Sequence, residues 1–128
     1  MKTQRAVILA VIVGFGLGAV AIQALHAQAR PPVYTVIEID VSNVDAYVKE
    51  YAPLARKSLE NAGGKPLAAG QKVMALEGAP PKTRVAVHVW DSIEKVQAWH
   101  DGEEYKAARK IGEKFATFRA FAVEGLPR

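Results

Sequence analysis

A chain of 128 residues has room for one domain, and the absence of cysteine excludes disulfides, thiol catalysis and thiolate metal sites. Its 17 basic and 13 acidic side chains are interspersed, with no basic stripe carrying interleaved aromatics, so nucleic acid is not an expected partner.

Lys2 and Arg5 precede an uncharged apolar run from Ala6 to Ile22, and Ala27-Gln28-Ala29 follows. A basic start, an apolar middle and a small-x-small triplet are the three parts of a secretory signal. Residues 1–29 are therefore read as a signal peptide cleaved after Ala29, with Ala27 as the second choice. The alternative is an uncleaved membrane anchor, because a span needs roughly 20 apolar residues and residues 6–22 approach that length. Gly14 and Gly18 also stand at a helix-packing spacing. Either reading expects an exported domain, periplasmic or secreted, made of residues 30–128. Without Lys2 and Arg5 the balance is 15 basic against 13 acidic residues, so much of the basic character belongs to the leader.

Val33 to Asp40 alternates, with Val33, Thr35, Ile37 and Ile39 facing one way and Tyr34, Val36, Glu38 and Asp40 the other, as in a strand. Ser42 with Asp45 reads as a capping box. Val44, Tyr47, Val48, Tyr51, Leu54, Ala55, Leu59 and Ala62 then recur at helical spacing. Pro53 falls inside that helix, where it costs about 3 kcal/mol and predicts a kink or break. Gly63-Gly64 supplies a left-handed stop.

Lys65 to Leu76 is predicted as the second strand, interrupted at Gly70, with Val73 to Leu76 as its clearest part. Residues 77–82 form a turn by composition. Arg84 to Trp90 alternates again, with Val85, Val87 and Val89 on one face and Arg84, Ala86, His88 and Trp90 on the other. Asp91 with Glu94 reads as a helix cap, and Ile93, Val96 and Trp99 share one side of a short helix. Asp101-Gly102 breaks it. The next helix runs from Glu103 to Lys114, and Thr117 to Glu124 is the last strand.

The order β-α-β-β-α-β predicts an α+β, ferredoxin-like domain, an antiparallel sheet with both helices on one face. The all-valine face of the third strand is expected to meet the helices. The opposite face, with Tyr34, Val36 and Glu38 beside Arg84, Ala86, His88 and Trp90, is expected to pair with a second copy in a homodimer.

Pro32-Val33-Tyr34-Thr35-Val36, Ala62-Gly63-Gly64, Leu76-Glu77-Gly78, Arg84-Val85-Ala86-Val87 and Trp90-Asp91-Ser92 carry a resemblance that continues to the C-terminus. There it rests on Ala98-Trp99-His100, Glu104-Tyr105-Lys106 and Val123-Glu124-Gly125. Together they resemble the family called domain of unknown function 1330, within the dimeric α/β barrel superfamily. The resemblance implies the fold and a dimeric α/β barrel, and it implies no reaction. Ala62 and Ala69 stand where members of that family often carry polar or aromatic residues.

His88 is the first candidate for chemistry, as a base or as an anchor for a ligand, with Glu38 or Tyr34 expected on the neighbouring strand. Tyr34, Glu38, His88 and Trp90 form the expected ligand-binding set; the competing reading of His88 is a packed interface residue. His100 at a helix end is read as satisfying carbonyls. Trp99 and Tyr105 are read as core. No metal site and no cofactor is expected. The leading functional reading is a dimeric module that binds a small apolar or aromatic molecule. The alternatives are a cofactor-independent monooxygenase- or isomerase-like enzyme with His88 as base, and a structural or stress-associated interaction protein.

Overall fold

Four strands and a layer of short helices follow one another in the computed structural model, which describes residues 30–127. The signal or anchor reading of residues 1–29 lies outside the described residues. Among the described residues no helix is long and apolar enough to cross a membrane.

Strand β1 (Val33–Val41) buries Val33, Thr35, Ile37 and Ile39, as its alternation predicts. Helix α1 (Val44–Ala46) is capped by Asn43, whose Oδ1 accepts from the Ala46 amide at 3.1 Å. The expected cap, Ser42, instead donates to the Phe115 carbonyl at 2.9 Å and ties the helix start to the far end of the fold. A π-helical turn follows, Tyr47–Tyr51, and then α2 (Ala52–Asn61). The expected break at Pro53 thus takes the form of one wider turn. The Ala52 amide reaches back to the Tyr47 carbonyl, and Pro53, which has no N–H to offer, sits at the start of α2, where none is needed. Tyr47, Tyr51 and Leu59 are buried, whereas Val44, Val48 and Leu54, expected in the same stripe, are exposed. Gly63, at φ 93°, ends the helix as expected, with Gly63 and Gly64 amides returning to Glu60 and Leu59 carbonyls.

Strand β2 covers only Lys65–Gly70, and Val73 to Leu76 is not a strand. The register explains this difference. Gly70 pairs with Val85, so continuing the ladder would set Met74 and Ala75 opposite Pro81 and Pro80. Neither proline has an N–H for the ladder, and the segment leaves the sheet with Met74 and Leu76 exposed. Strand β3 (Arg84–Trp90) follows. Helix α3 (Ile93–Asp101) is capped by Ser92, while the expected cap, Asp91, pairs with Lys95 Nζ at 3.1 Å. Gly102 separates α3 from α4 (Glu103–Gly112), and β4 (Ala116–Glu124) closes the order.

The sheet is antiparallel with strand order β2-β3-β1-β4, the ferredoxin-like topology, and one face is covered by helices. It is open, with β2 and β4 as its edges. The dimeric α/β barrel implied by the resemblance is therefore corrected to an open four-stranded sheet. The three ladders are β1 with β3, β1 with β4 and β2 with β3, and none joins β2 to β4, so the sheet of this chain does not close.

A second correction concerns β3. Directly paired residues project to the same face, and the register pairs Thr35 with His88, Ile37 with Ala86 and Val33 with Trp90. Arg84, Ala86, His88 and Trp90 therefore lie under the helices, and Val85, Val87 and Val89 share the open face with Tyr34, Val36 and Glu38. This reverses the expected assignment. Trp90 has the larger apolar surface to hide and an indole N–H that needs an acceptor, and Thr35 offers one only on the helix side.

Candidate functional site

The buried faces of β3 and β1, the π turn, α2, the α3–α4 pair and Pro66 and Ala69 of β2 line a partly open cavity of about 240 Å3. Its floor is Ile37, Ile39, Ala86 and His88, and its walls include Tyr47, Tyr51, Leu59, Trp99 and Tyr105. Arg84 stands at one end of the β3 floor and His88 at the other. Four residues at about 3.3 Å each separate their backbones by roughly 13 Å.

Trp90 Nε1–H donates to Thr35 Oγ1 at 3.1 Å, and the same oxygen lies 3.1 Å from His88 Nδ1. An indole can only donate. The threonine proton is thus left to seek an acceptor, and His88 Nδ1 is its partner among the described residues. Because Nδ1 is the acceptor that the threonine proton has, we assign the imidazole proton to Nε2, the nitrogen without a partner, on a side chain that lines the cavity. Burial lowers the His88 pKa below its ordinary value, so the ring is neutral near neutral pH. The Trp99 ring stands edge-on to His88, with centroids 6.2 Å apart.

Trp99 is held from above. Its Nε1–H donates to Ser58 Oγ at 3.2 Å, and Ser58 donates to the Ala55 carbonyl at 2.9 Å. Tyr105 packs edge-on against it at 4.5 Å. The two tyrosines of the π turn lie 5.2 Å apart. Burial raises the Tyr47 and Tyr105 phenols and pushes Tyr51 up to about 12, so all three remain hydroxyl donors. Behind them Arg109 stacks on Phe118 at 3.4 Å and reaches Glu113 at 3.8 Å.

The four expected ligand residues do not come together. His88 and Trp90 are buried beneath the helices, whereas Tyr34 and Glu38 lie on the open face, where Glu38 pairs with Arg119 at 2.7 Å. His88 is oriented by a threonine, not by the expected carboxylate. Trp99 and Tyr105, read as core, are buried and also wall the cavity. Tyr47 and Tyr51 were legible only as helix-stripe residues; the signal that they share a widened turn is Pro53 just beyond them. His100 is half turned to solvent beside Asp101 and lines a second cavity of about 230 Å3 on the other side of Trp99. Ala69 lines the main cavity, where a larger side chain would take up its space, and Ala62 packs against the core. Among the described residues no three His, Asp or Glu side chains gather as a metal site.

The fold is similar to that of the RPA0582 protein of unknown function from Rhodopseudomonas palustris, with a TM-score of 0.62 and 18% identity over 83% of this chain and 92% of that one. It is also similar to SnoaB, a cofactor-independent oxygenase from Streptomyces nogalater, with a TM-score of 0.54 and 11% identity over 73% and 91% of the two chains. HapK from Hahella chejuensis gives 0.53 and 14% over 73% and 92%. At such identities the likeness carries the fold alone. None of the curated proteins matches the chain. The family model described as Domain of unknown function (DUF1330) matches residues 32–126, which is nearly the whole of the folded region, and the chain belongs to that family.

Proposed function

We propose that the protein is a small-molecule-binding module whose ligand sits between the sheet and the helices, anchored by His88. The observation that carries this reading is the cavity of about 240 Å3 with the unpartnered Nε2 of a neutral imidazole on its floor. A mostly apolar pocket with a few convergent polar groups is the usual form of a ligand site. The volume suits a one- or two-ring molecule, since a dry apolar cavity of roughly 150 Å3 already takes benzene.

The enzymatic reading, a cofactor-independent oxygenase with His88 as base, is supported less well. With the proton on Nε2, the imidazole offers the cavity a donor, and acting as a base there would first require Thr35 to turn its hydroxyl away from Nδ1. The structural reading expects a fully packed interior, and the cavity counts against it.

Trp99 lines the cavity, and Trp90, the other tryptophan, packs against it with ring centroids 5.0 Å apart, so intrinsic fluorescence reports on the site. Titration with small aromatic compounds is expected to change that emission saturably. The Ala86→Leu protein, filling the floor, is expected to fold and to respond at least about tenfold more weakly. An equal response from Ala86→Leu would put the ligand elsewhere.

The reading includes a partner and a place. A second copy of the chain is the occupant proposed for the open face. Val36, Val85, Val87, Val89, Phe121 and Val123 form a contiguous apolar surface there, of a kind monomers rarely leave bare. Glu38 pairs with Arg119 on that face, and Asp40 and Lys65 add one charge of each sign, so the face is neutral in sum and two like faces meet without net repulsion. Sedimentation is expected to show a dimer that Val87→Arg reduces to a folded monomer; a wild-type monomer at micromolar concentration would refute the pairing. The exported location is proposed from residues 1–29 alone.

A further inference from the structure

The charge around the cavity is one-sided. Arg56 and Arg84 line it beside the neutral His88, and no Asp or Glu does. Arg56 is already committed, its Nε lying 2.8 Å from Glu60 Oε1 one helical turn on. Arg84 is different. It projects from β3 to the helix side, opposite Ile39, and its guanidinium lies over the Tyr47 ring, 5.5 Å from the centroid. Among the described residues it has no carboxylate within salt-bridge distance, although every other arginine from 31 to 127 has one.

A half-buried guanidinium beside tyrosines, without a counter-ion from its own chain, is electrostatically incomplete. Its planar fork matches a carboxylate with two parallel hydrogen bonds. The other end of the floor offers a single neutral donor, His88 Nε2, and between them lie Ala86 and the aromatic walls. An acid with a flat apolar body meets all three features at once: negative charge at Arg84, a ring over Ala86 and against Trp99, and its far edge at His88.

We propose that the cavity is selective for small aromatic monocarboxylates, with Arg84 as the residue that sets this charge preference. The inference rests on the binding reading above and narrows it to a ligand class.

The test is calorimetric titration of the whole protein with 1-naphthoate, its neutral counterpart 1-naphthamide and the cation 1-naphthylmethylammonium. These share one ring system and differ in charge. The wild-type protein is expected to bind the acid about tenfold or more tighter than the amide, the usual weight of a charge-assisted bidentate contact, and the cation weakest. Arg84→Met keeps the length of the side chain and removes its charge. It is expected to bring acid and amide to within about twofold of each other with the amide little changed, while Arg84→Lys retains part of the preference. Binding of acid and amide alike by the wild type would overturn the charge selectivity and leave the binding module standing. So would an acid preference that survives in Arg84→Met. No saturable heat from any of the three would overturn the selectivity and count against the site itself.

Discussion

Thr35→Val is expected to lower the stability of the fold by about 2–4 kcal/mol, measured by urea unfolding. Valine has nearly the shape of threonine, so packing is retained and the effect isolates one oxygen atom. That oxygen accepts from Trp90 Nε1 and partners His88 Nδ1, each at 3.1 Å, and all three residues are buried. Its loss leaves an indole N–H and an imidazole nitrogen without partners inside the core, and each orphaned group costs about 1–3 kcal/mol. The same change frees His88 to move its proton to Nδ1, so nitrogen chemical shifts of the ring should report a mixture of tautomers. A loss below about 1 kcal/mol with the ring still protonated on Nε2 would show that Thr35 does not set the geometry of the site.

Gly64→Ala is expected to cost about 1–3 kcal/mol by overpacking, with a matching loss of ligand affinity. A Cβ at residue 64 would come to 2.5 Å from Leu59 Cδ1 and 2.8 Å from two atoms of the Trp90 ring. Leu59 can yield only by moving its side-chain end into the cavity, which takes up ligand space, and Trp90 is not free to move. Leu59 is a cavity wall, and Trp90 is pinned through its indole nitrogen to Thr35. Moving Trp90 therefore strains the bond that orients His88. Urea unfolding and the fluorescence titration should fall together. A protein of wild-type stability would mean that the α2–β2 corner is looser than this contact implies.

These two residues also show how far the sequence reaches. The glycine pair at 63–64 is readable as a helix stop from its position alone, and Gly63 does adopt the left-handed backbone. The need for glycine at 64 is a matter of a tryptophan arriving from 26 residues further along, which no local pattern encodes. The alternation of β1 names its buried residues correctly, because isoleucines and valine leave one face plainly more apolar. In β3 both faces are apolar enough to be buried. Three valines look like the better core, yet the register with β1 commits His88 and Trp90 to it instead. Only long-range pairing decides between such faces.

The candidate site divides in the same way. His88 and Trp90 were legible as adjacent same-face residues of one strand, and they do belong together. Tyr34 and Glu38 were joined to them through the reversed face, and they lie on the far side of the sheet. Tyr47 and Tyr51 reach the cavity through a turn widened ahead of Pro53, and regular helical spacing assigns them no more than burial. Val73 to Leu76 looks like a strand until the opposing prolines at 80 and 81 are counted.

The central claim is that the ligand enters between sheet and helices and not on the open face. Methyl-resolved nuclear magnetic resonance during titration with 1-naphthoate tests it most directly, because methyl groups mark the two sides of the sheet separately. The account predicts saturable shifts at Ile37, Ile39 and Leu59, which line the cavity, with the Trp99 indole signal moving alongside them. Val36, Val87 and Val89 should stay still. Shifts confined to those valines, with Ile37 and Leu59 unmoved, would contradict the account.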